Sequence, residues 1–222
     1  MNAPLHGALR EIVQDGTIRV AINAGNLATV TVAPYGAFTG PSVDVARALG
    51  KAAGLRVTLL PFASAGALLA GEADGADWDI ACLAIDPSRR ERFHFSRPYL
   101  TFDASYAVHA KSSFATPDDL DGRGVRIASV TGAAYDAYLQ RTLHNAECVA
   151  LDGPRNALAA FNSGRFDALA GVRAVLERTF LDNPDVRILG GSFMVVEHAL
   201  AVPLKHARAA SGIDAFVAQY QA

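Results

Sequence analysis

The sequence is short of the features that would assign a chemistry outright. Its only two cysteines, Cys82 and Cys148, lie far apart, each inside an apolar stretch. They read as small core residues rather than a disulfide framework, and so leave the redox compartment open. Charge of either sign is scarce: 20 Lys and Arg against 22 Asp and Glu give a formal net charge of -2. That balance excludes the basic field that nucleic acid requires and the polybasic patch that an anionic membrane surface attracts. No apolar run approaches the roughly 18 residues of a membrane span, so no membrane insertion is expected. The start, MNAPLHGALREIVQDG, lacks the cationic head and continuous apolar run of an export signal. Either the protein stays in the cytoplasm or a signal has been removed ahead of Met1. The histidines, His6, His94, His109, His144, His198 and His206, show no metal-ligand spacing, and neither a Gly-x-Ser-x-Gly elbow nor a phosphate loop occurs. No metal and no cofactor are expected, and catalysis has little support.

What is present is a hydrophobic fraction of 51% with 19% charged residues over 222 positions. This is globular composition, long enough for one large domain or two small ones. Ala8 to Val13 reads as a short amphipathic helix. "TIRVAI" alternates into a strand, followed by the loop "NAGNLATVTVAPYGAFTGPS". In "VDVARALGKAAGL", Val45, Leu49 and Ala52 or Ala53 fall at helical spacing with Gly54 as the stop, and "RVTLLPF" returns as a strand. "AGALLAGEADGADW" supports a short helix. "DIACLAI" is apolar throughout, as expected of a strand buried on both faces of a parallel sheet. After "YAVHA" the rhythm repeats: strand "GVRIASV", a helix over about Ala133 to Asn145, strand "CVALD", a helix over about Arg155 to Asn162, strand "DALAGV", helix "RAVLERTFL", strand "VRILGG". Strands alternating with helices argue for two α/β units. Extended segments near Ser105 to Ala110 and in "VVEHALAVPL" predict two strand-like crossings. The first lobe is then discontinuous, residues 1–107 plus 199–222, with the second lobe at 108–198.

The segment "DIACLAIDPSRRERFHFSRPYL" concentrates the chemistry. Asp86-Pro87-Ser88 follows the C-terminal end of a buried strand, where ligands of open α/β sheets bind, and Arg89, Arg90 and Arg92 come next. A guanidinium there presents a planar fork to a carboxylate. Arg90 and Arg92 read as a solvated helix face. In "IASVTGAAYDAYL" a Thr-Gly turn joins a strand to a helix, where backbone N–H groups and the positive end of the helix dipole favour an anion. Thr131, Gly132, Ala133 and Ala134 are the candidates, with Thr131 serving merely as a cap the plain alternative.

The order of "TIRVAI", "GPSVDVARALGKAAGL", "LLPF", "WDIACLAIDPSRRERFHFSRPYL", "GVRIASVTGAAYDAYL" and "GRFDALAGV" resembles the family 3 extracellular solute-binding proteins, the amino-acid receptors of ABC importers. The similarity runs from about Ile18 to Leu204. Its most specific piece is strand, turn, Arg89, then Phe95-Ser96-Arg97-Pro98-Tyr99. The resemblance implies an α/β type II periplasmic-binding-protein fold, two lobes joined by two hinge strands that close over a small ligand. It also implies a periplasmic location, delivery to an ABC transporter permease if the protein is exported, and a monomer. By that resemblance Arg89 holds the ligand's α-carboxylate.

Two departures from the family's pattern bear on the ligand. The usual Gly-x-Thr ahead of the arginine is Cys82-Leu83-Ala84 here, so the hydroxyl at Ala84 is missing. The aspartate that usually pairs with the ligand's ammonium aligns with Val172, between Gly171 and Arg173. A site that keeps Arg89, loses that acid and gains Arg173 shifts toward a small organic acid, such as a dicarboxylate or an N-substituted amino acid, by leaving the wrong ligand's charge unpaired. In the alternative, Arg173 caps its helix and Glu197 or Asp103 serves the ammonium. Phe62, Tyr35, Phe38 and Tyr135 are candidates for an aromatic shelf, each also readable as core. Asn23 and Asn26 are ligand hydrogen-bonders or turn formers. Relatives on the same fold, the cyclohexadienyl dehydratases, are enzymes, and Glu197 is the only acid available here as a general acid. A cytosolic ligand-sensing domain is the third class.

Overall fold

A computed structural model describes residues 3–73 and 78–221 of the chain. The part of the expected third helix that falls on 74–77 lies outside the described residues. Contacts divide the chain into two units, Met1–Thr101 with Glu197–Ala222, and Phe102–Val196.

In the first unit, helix α1 (Ala3–Leu9) precedes strand β1 (Thr17–Asn23), a small hairpin of β2 (Thr31–Val32) and β3 (Phe38–Thr39), helix α2 (Pro41–Ala53), strand β4 (Arg56–Phe62), helix α3 (Ala65–Ala73), strand β5 (Ile80–Ala84), the one-turn helix α4 (Pro87–Arg90) and strand β6 (Phe93–Phe95). Strand β7 (Leu100–His109) then carries the chain into the second unit. The first sheet has the order β4-β1-β5, all parallel, and the returning strand β12 (Met194–Pro203) pairs antiparallel with β5 and β6. Alternation along these strands builds two cores. Val20, Ile22, Cys82, Leu200 and Val202 face α1, α2 and the final helix α8 (Ala207–Tyr220). Ala21, Ala81, Leu83 and Ala201 turn the other way, onto Leu68, Trp78 and Phe93. β5 is buried at every position, as its unbroken apolar run predicts. α2 opens on Pro41 at its first position and stops at Gly54, whose φ of 69° places it in the left-handed region that favours glycine.

The second unit is built from β8 (Arg126–Val130), α5 (Ala134–Thr142), β9 (Glu147–Leu151), α6 (Pro154–Asn162), β10 (Ala168–Val172), α7 (Arg173–Thr179) and β11 (Val186–Ile188). β9, β8 and β10 are parallel neighbours, and β7 joins β10 and β11 antiparallel. Alternating residues again serve two cores: Ala128 and Leu169 pack with Phe161 and Leu176, while Ile127, Ala168 and Ala170 pack with Tyr106 and Leu139.

Two elements differ from the sequence reading. The first helix lies at Ala3–Leu9 rather than Ala8–Val13, because Leu5 and Leu9, one turn apart, are the residues buried against α8, while Arg10 and Glu11 are exposed. The loop after β1 contains the β2–β3 hairpin, too short for two-residue alternation to reveal.

Candidate functional site

In the first unit the candidate residues gather at the C-terminal end of β5. Pro87, which cannot donate to a sheet ladder, ends the strand and opens α4. Asp86 caps that turn, its side chain accepting from Ser88 N–H at 2.9 Å and from the Ser88 hydroxyl at 2.6 Å. This turn sends Arg89 inward and Arg90 outward. The Arg89 side chain is buried, with 6% of the residue exposed, and its Nη1 donates to the Ala84 carbonyl at 2.6 Å. Burial lowers the guanidinium's pKa and the charge of Asp86 acts in the opposite sense. Ala84 therefore contributes its backbone oxygen to the arginine. Arg90 and Arg92 are exposed, lying over the Phe95 and Phe93 rings at 5.8 and 5.3 Å, which agrees with their reading as a solvated face.

A residue that the sequence left among unassigned histidines completes this corner. His198 on β12 stands opposite Ala84 in the antiparallel register and is 5% exposed. Its Nε2 lies 3.4 Å from Asn26 Nδ2, and its carbonyl accepts from Tyr99 N–H at 2.8 Å. Burial, and after it the positive charge of Arg89, push the imidazole's pKa down to about 3. Tyr99, the last residue of the Phe-Ser-Arg-Pro-Tyr stretch, shares a 2.9 Å hydrogen bond with Ser42 at the start of α2. Asn26 is a turn former as well as a neighbour of His198: its Oδ1 accepts from Ala28 N–H at 3.1 Å. No local pattern could have joined His198 to Arg89, since the two meet only through strand pairing.

The aromatic candidates separate. Phe62 ends β4 half-buried against α3, where its ring would lie 3.1 Å from a Cβ placed on Gly71. Phe38 packs against the first unit's larger core and Tyr135 against a core of the second. Tyr35 corrects its reading as core: it stands fully in solvent at the hairpin turn with a φ of 68°.

In the second unit the remaining candidates lie at the C-terminal ends of two adjacent parallel strands, β8 and β10. Gly132 makes the turn after β8 with a φ of 75°, a conformation that β-carbon sterics disfavour. Ala133, not Thr131, occupies the cap of α5, and no side chain caps that helix. Thr131 N–H donates to the Leu151 carbonyl at the end of β9 and Ala133 N–H to the Val130 carbonyl, so both amides are already committed. Ala134, first in the helix, has an N–H with no intrahelical acceptor. Asp136, in the same first turn, is buried and accepts from Gln140 at 3.4 Å. Val172 caps α7 and is buried, and Arg173 follows it. The Arg173 guanidinium donates to the Leu189 carbonyl at 2.9 Å and lies 3.9 Å from Glu177, one helical turn on. Its charge is thus already shared. Glu197 and Asp103, the alternative acids, are both exposed.

The family model for bacterial extracellular solute-binding proteins, family 3, matches residues 18–179. The chain belongs to this family. Among curated proteins, this solute-binding protein is 25% identical over 206 residues to the L-cystine-binding protein TcyJ of Escherichia coli K12, covering 88% of the chain and 74% of TcyJ. It is 26% identical over 149 residues to the ABC transporter arginine-binding protein 1 of the same organism, covering 67% and 60%. Among solved structures, holo ArgBP from T. maritima superposes with a TM-score of 0.80 at 22% identity, covering 95% of this chain and 93% of that one. At that identity the likeness establishes the type II periplasmic-binding-protein fold. Among the described residues no group of His, Cys, Asp and Glu is arranged to hold a metal, and no helix is long and apolar enough to cross a membrane.

Proposed function

We propose that the protein captures a small ligand through its carboxylate, with free amino acids the leading class, and hands it to an ABC importer. The observation that carries this reading is Arg89: a guanidinium held in a buried setting at the end of β5, on a turn built by Asp86, Pro87 and Ser88. A carboxylate matches the planar fork of a guanidinium through two charge-assisted hydrogen bonds, which are stronger where water is excluded. Amino acids lead because two relatives are named for cystine and arginine binding. The organic-acid reading loses support where Arg173 turns to Leu189 and Glu177. On the second unit's side, the first amide of α5, at Ala134, is proposed to meet the ligand. The two contact units act as the two lobes, and hinge closure selects the state in which ligand touches both. The protein is proposed to work as a monomer, outside the cytoplasm as its family does.

Binding without turnover is part of the same reading, since the one acid proposed as a catalytic proton donor, Glu197, is exposed. A thermal-shift screen of the standard amino acids, L-cystine and a panel of dicarboxylates tests the ligand class. Stabilisation by one or more amino acids is expected, and stabilisation by dicarboxylates alone overturns it. Incubation with prephenate, followed in the ultraviolet for phenylpyruvate, tests the absence of turnover; product formation overturns that part.

A further inference from the structure

We propose that Ser96 is a positioning residue for hinge closure: with Tyr99 it pins both crossing strands to the first unit and confines bending to residues 100–103 of β7 and 194–197 of β12. The inference rests on the hinge closure proposed above, and adds where the chain bends and what holds its fixed end. β12 is gripped on two edges. On one, His198 to Ala201 pair with Ala84 to Ala81 of β5. On the other, β6 covers only Ala201, Val202 and Pro203. Pro98 lacks an N–H, so a regular ladder cannot run on from β6 into β7. Ser96 fills the break. Its N–H donates to the Leu200 carbonyl at 2.9 Å, and its hydroxyl accepts from Leu200 N–H at 3.1 Å while donating to the Arg97 carbonyl at 2.7 Å. One hydroxyl serves both bonds, as its single proton and two lone pairs allow. One residue before β7, Tyr99 N–H donates to the His198 carbonyl at 2.8 Å.

Other elements of the first unit hold this stretch from behind. Arg97 binds Asp214 on α8 through its backbone N–H and its guanidinium, the Pro98 carbonyl accepts from Gln221 at 2.7 Å, and the Tyr99 hydroxyl meets Ser42 on α2. Beyond the pinned pair, burial falls. Thr101, Asp103, Val195 and Glu197 are exposed, whereas residues 104–108 and 198–202 are buried throughout. The division of contacts falls inside both half-exposed segments, between Thr101 and Phe102 and between Val196 and Glu197. Segments with few buried side chains open at the lowest cost, so bending collects there, next to the anchored Tyr99–His198 pair.

The test uses the full chain. Hydrogen exchange should find the Tyr99 and Leu200 amides protected at least about tenfold more than any amide of 101–103 or 195–197; an amide in those segments as protected as Leu200 overturns the placement of the bend. Spin labels at Lys51→Cys and Lys111→Cys, one on each unit in a Cys148→Ser background, read the hinge through their distance distribution. Labels at Lys51→Cys and Lys205→Cys, both in the first unit, are the control. The cross-unit distribution of the parent should be broader than the control. Ser96→Ala should lower Leu200 protection by about tenfold and broaden the cross-unit distribution further with the control unchanged, and Ser96→Thr, which keeps the hydroxyl, should restore both. If Ser96→Ala lowers protection across β1, β4 and β5 alike and leaves the cross-unit width where it was, the positioning role falls and the hinge stands. A parent cross-unit distribution as narrow as the control removes hinge closure and the inference together.

Discussion

Arg89 and His198 share one buried corner of the first unit, yet different measurements report on them. Removing one member of a buried ionic contact costs about 2 to 5 kcal/mol, so Arg89→Ala should lose nearly all affinity for the amino acid found by the thermal screen. Calorimetry placing that variant within threefold of the parent would contradict the assignment. His198 reports through stability. Its pKa is about 3 in the folded chain and roughly 6.5 when unfolded, so between those values the unfolded state binds more protons. Stability from this group is complete above the unfolded value and drains away as pH falls toward the folded one. Lowering pH from roughly 6.5 to 5 should cost up to about 2 kcal/mol. His198→Gln should remove that part of the acid sensitivity, seen as a smaller drop in urea midpoint over this range; an unchanged drop would show that His198 titrates normally. Arg89 was legible because strand, turn and the Phe-Ser-Arg-Pro-Tyr stretch lie together in sequence. His198 was not, because only the β5–β12 register brings it to Ala84.

At the scale of elements, close packing can oppose intrinsic propensity, and α2 offers a clear case. Gly50 lies inside that helix, where alanine would be favoured by about 1 kcal/mol on propensity alone. A Cβ there, however, would lie 2.3 Å from Val57 Cγ2 on β4 and 3.0 Å from the Leu55 carbonyl. Overpacking of this kind costs about 1 to 3 kcal/mol, so Gly50→Ala should destabilise the protein, and adding Val57→Ala should recover part of the loss. A Gly50→Ala variant that melts higher than the parent would mean that α2 can move off β4. The helices and strands themselves were largely readable: β4 occupies "RVTLLPF" and α2 ends at Gly54 as its left-handed cap predicts. The failures came where an element is short. The β2–β3 hairpin has two residues per strand, too few to show a period, and α1 is chosen by its burial against α8.

For the whole molecule, the decisive fact is that each unit has cores of its own. Phe161 is fully buried in the second unit with Ala157, Leu176 and Phe180, and none of its cluster belongs to the first. Phe161→Ala should therefore cost about 3 to 5 kcal/mol, and hydrogen exchange should show where the loss is felt. The amides of β8 to β10 are expected to lose protection while those of β1, β4 and β5 keep theirs. Equal loss in both sets would identify a single cooperative unit. Two-unit organisation was visible in the repeated strand-helix rhythm, and the two extended crossings were placed near β7 and β12 because neither carries helical spacing.

The sequence by itself determined the order of the longer elements, the family, and the arginine on the turn after β5, because each is written in contiguous residues whose spacing and turn chemistry act locally. Tertiary structure alone decided what gathers around His198, which strand pairing places opposite Ala84. Asn26, Tyr99 and His198 come from separate stretches, and only strand register and burial make them neighbours. For the same reason Arg173, plausible as an anion site from its position after Val172, finds its partners in Leu189 and Glu177. A charge's meaning depends on which groups desolvation leaves beside it, and that is set by the folded chain.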